Sequence, residues 1–365
     1  MKGLPHVLGL WKRKPPPVGT TPADVVHTEN KLRLLRYRRS TPATFETPVL
    51  LVPSLINRHY VLDLLPQKSF AAWLVQRGFD VYCIDWGTPG DEDKFLTFDE
   101  ICDGYLGRAI RSAARSAGAQ KVHLLGYCMG GILTTIHAAV RPSHVASLTT
   151  LAAPVRFDGA GLLGSWTRSP TFDVRSLVNA YGNVPWTLLQ SSFHMLRPTL
   201  TLSKMVHLLD RAWDDESLDG FLAIEAWGND NVSIPGAFYQ RYIEDLYQRD
   251  LLARGEFTLS GRPARLDAIR CPTLAVTFEH DTIVPWKDAK ELVDRVSSTD
   301  KEWLHLQGGH VGAVVSKSAS QKLWPKLAAF WEERDGAVKE APAKKGRAGK
   351  APRTPAPNTT LQSGR

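Results

Sequence analysis

The sequence holds little cysteine for its size. Among 365 residues there are four, Cys83, Cys102, Cys128 and Cys271, with no CxxC pair and no metal-ligand spacing. A disulfide framework and a zinc ribbon are therefore not expected. A secretory leader is not expected either, because LPHVLGLW is too short for an h-region and no cleavage site follows it. The expected setting is the reducing cytoplasm. No phosphate-cradling glycine loop, metal cluster or nucleic-acid motif occurs, so neither a bound cofactor nor a metal is expected. Residues 122–140 are nearly free of charge, a length that invites a membrane reading. The adjacent Gly130 and Gly131, with His123 and His137, predict instead a buried strand running into a buried helix.

What is present is a globular balance, 43% hydrophobic and 22% charged. It suffices for a sizeable core in one large domain with an insertion, or in two modest ones. The formal charge of +8 sits at the ends. Residues 337–365 hold seven Lys/Arg against one Glu, and residues 1–20 hold four basic residues and no acid, which leaves the body at −2. Nucleic acid is not an expected partner of the fold. The basic arms read as solvated tails, since APAKKGRAGKAPRTPAP is too poor in large apolar residues to pack.

The stretch DVVHTENKLRLLRYR predicts a hairpin around Glu29 and Asn30. Short apolar runs follow at residues 48–54, 80–86, 121–127, 145–154, 271–281 and 302–309. Several lack polar alternation, the mark of strands buried on both faces. Helical segments separate them at residues 69–76, at 98–117 behind the capping box Thr97-x-x-Glu100, after Cys128, at 287–296 and at 321–333. The alternation predicts an α/β fold with a mainly parallel sheet. Between residues 155 and 270 the rhythm breaks into helical and loop stretches carrying Trp166, Trp186, Trp213 and Trp227, without strand-like runs. The predicted layout is a basic N-terminal arm (1–23), a first core part (24–154), a cap insertion (155–270), a second core part (271–334) and a disordered basic Ala/Pro/Lys tail (335–365).

In LLGYCMGG a strand meets G-x-C-x-G and then a helix, the nucleophile-elbow pattern with sulfur in place of oxygen. Gly126 and Gly130 let a tight turn hold Cys128 in a strained conformation, and Gly131 lets the helix start close to the sheet. The helix N-terminus favours a thiolate there. Cys83, Cys102 and Cys271 read as core residues. A thiol nucleophile needs a base and the base an orienting acid, in the chain order nucleophile, acid, histidine. Asp281 and His310 each lie just past a predicted strand. Glu279 and His280 compete for these roles, but strand alternation and the turn HDTIVPW favour Asp281. The oxyanion donors expected are the Met129 N–H and a backbone N–H at Leu55 or Ile56, in the loop that begins at Ser54.

These residues resemble the polyhydroxyalkanoate synthases, acyltransferases of the α/β-hydrolase fold. The likeness rests on VPSLINRHYVLDL, IDWGTPGD, GYCMGG, the block at residues 233–286 and GGHVGAVVS. It implies Cys128 as nucleophile, His310 as general base and Asp281 as acid, with (R)-3-hydroxyacyl-CoA as substrate and a polyester as product. CoA then enters and leaves with the substrate. The short chain looks like the subunit type that works with a second synthase subunit, with a homodimer as a further possibility and the surface of polyester granules as a location. Met129 departs from the glutamine found in many short members. GYCMGG also resembles the elbow of dienelactone hydrolases, so a cysteine-dependent hydrolase or thioesterase is one alternative. A non-catalytic granule-associated subunit is another.

Overall fold

The computed structural model describes residues 14–159, 161–196 and 214–335. The strands are β1 (Ala23–Glu29), β2 (Leu32–Tyr37), β3 (Val49–Val52), β4 (Val81–Asp85), β5 (Val122–Tyr127), β6 (Val145–Leu151), β7 (Thr258–Leu259), β8 (Arg262–Pro263), β9 (Thr273–Phe278) and β10 (Lys301–Leu306). Eight of them form one sheet in the order β1-β2-β4-β3-β5-β6-β9-β10, while β7 and β8 pair only with each other. β1 and β2 run antiparallel to each other, and β2 to β4; every other neighbour in the eight-stranded sheet is parallel. From β3 the chain crosses outward to β4 and then returns to β5 on the other side. The crevice of such a sheet opens where the order reverses, beyond the carboxyl ends of β3 and β5.

β3, β5 and β9 are buried at every position, as their unbroken apolar runs require. Alternation sorts the side chains. Leu50 and Val52 enter the core on one face, and Val49 and Leu51 the core on the other.

The helices are α1 (Phe70–Gln76), α2 (Leu106–Ala117), α3 (Met129–Val140), α4 (Leu162–Thr167), α5 (Val174–Tyr181), α6 (Trp186–Leu196), α7 (Asp215–Asn229), α8 (Gly236–Arg241), α9 (Leu251–Arg254), α10 (Trp286–Arg295), α11 (Gly312–Val315), α12 (Lys317–Lys322) and α13 (Trp324–Glu332). α2, α3 and α10 cover the first face of the sheet, and α1 and α13 the second. None of the described helices is long and apolar enough to cross a membrane.

The structure departs from the sequence expectations in several places. The hairpin turns at Asn30 and Lys31, one residue later than expected, because Asn30 takes the positive φ of 49° that the turn needs. The capping box forms, with Thr97 N donating to Glu100 Oε2 at 2.7 Å and Glu100 N to Thr97 Oγ1 at 3.2 Å. Yet residues 100–105 wind as a π-helix before α2 begins. The last helix is two, α12 and α13, since Pro325 at the start of α13 cannot donate into a preceding turn.

The inner end of the N-terminal arm is pinned, with Gly19 N donating to Asp63 O at 2.9 Å and Thr21 Oγ1 to Asp63 Oδ1. Residues 1–13 and 336–365, with most of the basic arms, lie outside the described residues. The insertion does contain strands, β7 and β8. Its last third joins the main core, where the Phe98 ring lies 5.0 Å from that of Phe238 and 5.2 Å from that of Phe257.

Candidate active site

Cys128 closes β5 and caps α3 with φ 54° and ψ −124°. A non-glycine residue held there stores on the order of 1–3 kcal/mol, which the surrounding packing must overcome. The glycines around it supply that packing. A Cβ on Gly130 would stand 2.0 Å from Val52 O, one on Gly126 2.4 Å from Gly131 Cα, and one on Gly131 2.4 Å from Ala153 Cβ. Bare glycine therefore lets the start of α3 lie directly on the ends of β3 and β5. Gly126 and Gly130 serve by close approach and not by a positive φ of their own.

The same approach sets the loop after β3 beside the start of α3. Met129, as first residue of α3, has an N–H without an intrahelical acceptor. Ile56 lines one cavity with Cys128 and Met129, whereas the side chain of Leu55 lines a different one beside Trp86. Ile56 N lies 3.4 Å from Ser54 Oγ, a long hydrogen bond. The loop is fixed from outside. Val232 N donates to Ile56 O at 2.8 Å, Arg58 Nε and Tyr60 OH donate to the two oxygens of Asp230 at 3.0 and 2.7 Å, and Trp227 Nε1 donates to Arg58 O at 2.9 Å. The motif LINRHY is thus clamped to the insertion.

Asp281 and His310 stand beyond the ends of β9 and β10. Asp281 Oδ2 lies 2.7 Å from His310 Nδ1, while Oδ1 accepts from the N–H groups of Ile283 and Val284, both at 2.9 Å. The carboxylate is almost wholly buried and fully engaged, so it can hold the ring in one orientation. Burial disfavours a charged ring, but the Asp281 carboxylate, the nearby Cys128 sulfur and hydrogen bonding to both prevail and raise the His310 pKa to about 10. The structure therefore brings Cys128, His310 and Asp281 together, with a protonated ring facing the sulfur. Of the competitors, Glu279 is bound to His305 at 2.7 Å, and His280 is exposed. Burial pushes the thiols of Cys83 and Cys102 well up and that of Cys271 up as well.

Sequence reasoning missed Tyr127. Its hydroxyl donates to His310 O at 3.1 Å, and its ring stacks on the imidazole at 5.3 Å. It also missed the aromatic wall over the thiol. A cavity of about 110 Å³ above Cys128 is lined by Phe172, Phe193, Tyr239, Tyr242 and Tyr247, among others. Of the four tryptophans singled out, only Trp166 lines it; Trp227 is buried elsewhere, Trp186 is exposed and Trp213 lies outside the described residues.

Residues 47–315 match the family model described as alpha/beta hydrolase fold, and residues 16–74 that described as poly-beta-hydroxybutyrate polymerase (PhaC) N-terminus. Three similar proteins bear the name poly(3-hydroxyalkanoate) polymerase subunit PhaC. That of Allochromatium vinosum is 34% identical over 87% of this chain and 90% of its own. That of Synechocystis sp. is 32% identical over 92% and 90%. That of Haloferax mediterranei is 35% identical over 87% of this chain, which spans 65% of that protein's length. Among solved structures, Rv0554 from Mycobacterium tuberculosis superposes with a TM-score of 0.51 at 16% identity, over 82% of this chain and 94% of that one. A thermophilic esterase from Thermogutta terrifontis gives 0.50 at 16% identity, over 86% and 98%.

Proposed function

The chain belongs to the family of poly(3-hydroxyalkanoate) polymerase subunits, acyltransferases built on the α/β-hydrolase fold, and from that membership we propose that it polymerises (R)-3-hydroxyacyl groups from CoA on Cys128. His310 takes the thiol proton, and the thiolate attacks the thioester carbonyl. The oxyanion is held by the Met129 N–H and by a backbone N–H of Leu55 or Ile56. CoA leaves as its thiol, carrying the proton back from His310, and an acyl-cysteine remains. The 3-hydroxyl of a chain end or second monomer then gives its proton to His310 and attacks that thioester, lengthening the polyester and freeing Cys128.

Sulfur suits this task because transfer between thioesters is nearly isoenergetic and keeps the acyl group activated. No resident cofactor or metal is part of this proposal, and CoA enters and leaves with the substrate. Water must be excluded from the acyl-cysteine, and the aromatic cavity supports that role. A second synthase subunit, a homodimer and a place at the granule surface belong to this proposal.

The observation that carries the reading is the 2.7 Å His310–Asp281 pair beside a cysteine held at φ 54°. The test incubates the purified chain with (R)-3-hydroxybutyryl-CoA, alone and with candidate partner subunits, and follows CoA release and product mass. High-mass polyester is expected. Free 3-hydroxy acid would establish a thioesterase instead, and a Cys128 no more reactive than Cys83, with no CoA released, a non-catalytic subunit.

A further inference from the structure

Residues 242–248, YIEDLYQ, form a π-helix directly after α8. In an ordinary α-helix residues five apart diverge by about 140°. Where the bonding is i→i+5 they stand one above the other. The π-helix therefore turns Tyr242 and Tyr247 to one side, with ring centroids 5.4 Å apart, and both line the cavity over Cys128. Burial keeps both phenols neutral, and a hydrogen bond joins the two hydroxyls, which leaves one proton of the pair free to donate.

The rest of the lining leaves these hydroxyls little company. The Thr167 hydroxyl donates back to Leu163 O at 2.8 Å, and the Ser192 hydroxyl to Leu188 O at 3.0 Å. Tyr239, from α8, also lines the cavity, and burial raises its phenol to about 12. Other lining residues, such as Ile56, Ile132, Phe172, Ile243 and Val284, are apolar. In an apolar pocket, a few polar groups fix the orientation of the ligand.

We propose that the hydroxyls of Tyr242 and Tyr247 bind the oxygen on the third carbon of the acyl group carried by Cys128, and so select 3-hydroxyacyl over unsubstituted acyl groups. This rests on the acyl transfer proposed above. A site built to bond a hydroxyl rejects the analogue without it, because its own polar groups are left unpaired. The pair accepts from a free hydroxyl and donates to an ester oxygen, so it serves both the first acyl group and a growing chain.

The test uses Tyr242→Phe and Tyr247→Phe in the full chain. First-turnover CoA release is measured from (R)-3-hydroxybutyryl-CoA and from butyryl-CoA. Phenylalanine keeps the ring packing, and the butyryl rate reports the integrity of each variant. The wild-type ratio is expected to favour the hydroxylated substrate, and each substitution to lower that ratio by about tenfold, the worth of one hydrogen bond. A ratio unchanged in both variants, or equal slowing on both substrates, would overturn the inference while leaving acyl transfer standing. Release from neither substrate by the wild type would remove acyl transfer and this inference with it.

Discussion

His310 draws its charge from its neighbours, and the sign of that coupling can be tested. Its folded pKa of about 10 lies above the free imidazole value of about 6.5. The stabilisation from its protonated form is therefore complete below pH 6.5 and is lost as pH rises through 10. Asp281→Asn removes the main source of the shift. In urea denaturation, the stability gap between wild type and this variant is expected to be wide at pH 6 and narrower at pH 10; a gap that held constant or widened would contradict the coupling. At this scale the meeting of Cys128, His310 and Asp281 was legible, because a thiol between glycines and two polar residues just past strands are chemical signals in themselves. Tyr127 and the Tyr242–Tyr247 pair were not. The first speaks only through a contact 183 residues away along the chain, and the second through a helix type that a 3.6-residue period hides.

Among the elements, α3 approaches β3 so closely that a glycine is required. Gly130→Ala places a methyl group 2.0 Å from Val52 O and 2.6 Å from Pro53 O, both backbone atoms with little freedom to move. A loss of about 1–3 kcal/mol is expected from such overpacking, measured by urea denaturation, with CoA release falling further than stability because the Met129 N–H shifts with the helix. The buried strands could be read from sequence since their apolar runs match what burial on two faces requires. Their ends were harder. β6 stops at Leu151, three residues before the expected end, because Ala152 takes a positive φ of 49° and turns the chain away from the sheet.

Across the whole molecule, the insertion and the core meet at Asp230, which binds Arg58 and Tyr60 from the loop after β3. Asp230→Ala should free that loop and lower kcat/KM for acyl-CoA about tenfold or more, with a smaller change in stability, since the ion pair is partly exposed. An unchanged kcat/KM would show that the clamp is not needed for the site. The stretch between β6 and β9 shows no regular strand–helix rhythm in the sequence, and its described residues fold mostly as helices with the β7–β8 pair. The packing of its last third on Phe98 could not be read there, because it depends on contacts of Phe238 and Phe257 made only in three dimensions. The central claim is that one sulfur carries the acyl group. Incubation with (R)-3-hydroxybutyryl-CoA, acid quench and peptide mass mapping should find the hydroxybutyryl adduct on Cys128, persisting in Cys83→Ala and absent in Cys128→Ala. An adduct on another residue, or polymer made by Cys128→Ala, would contradict it.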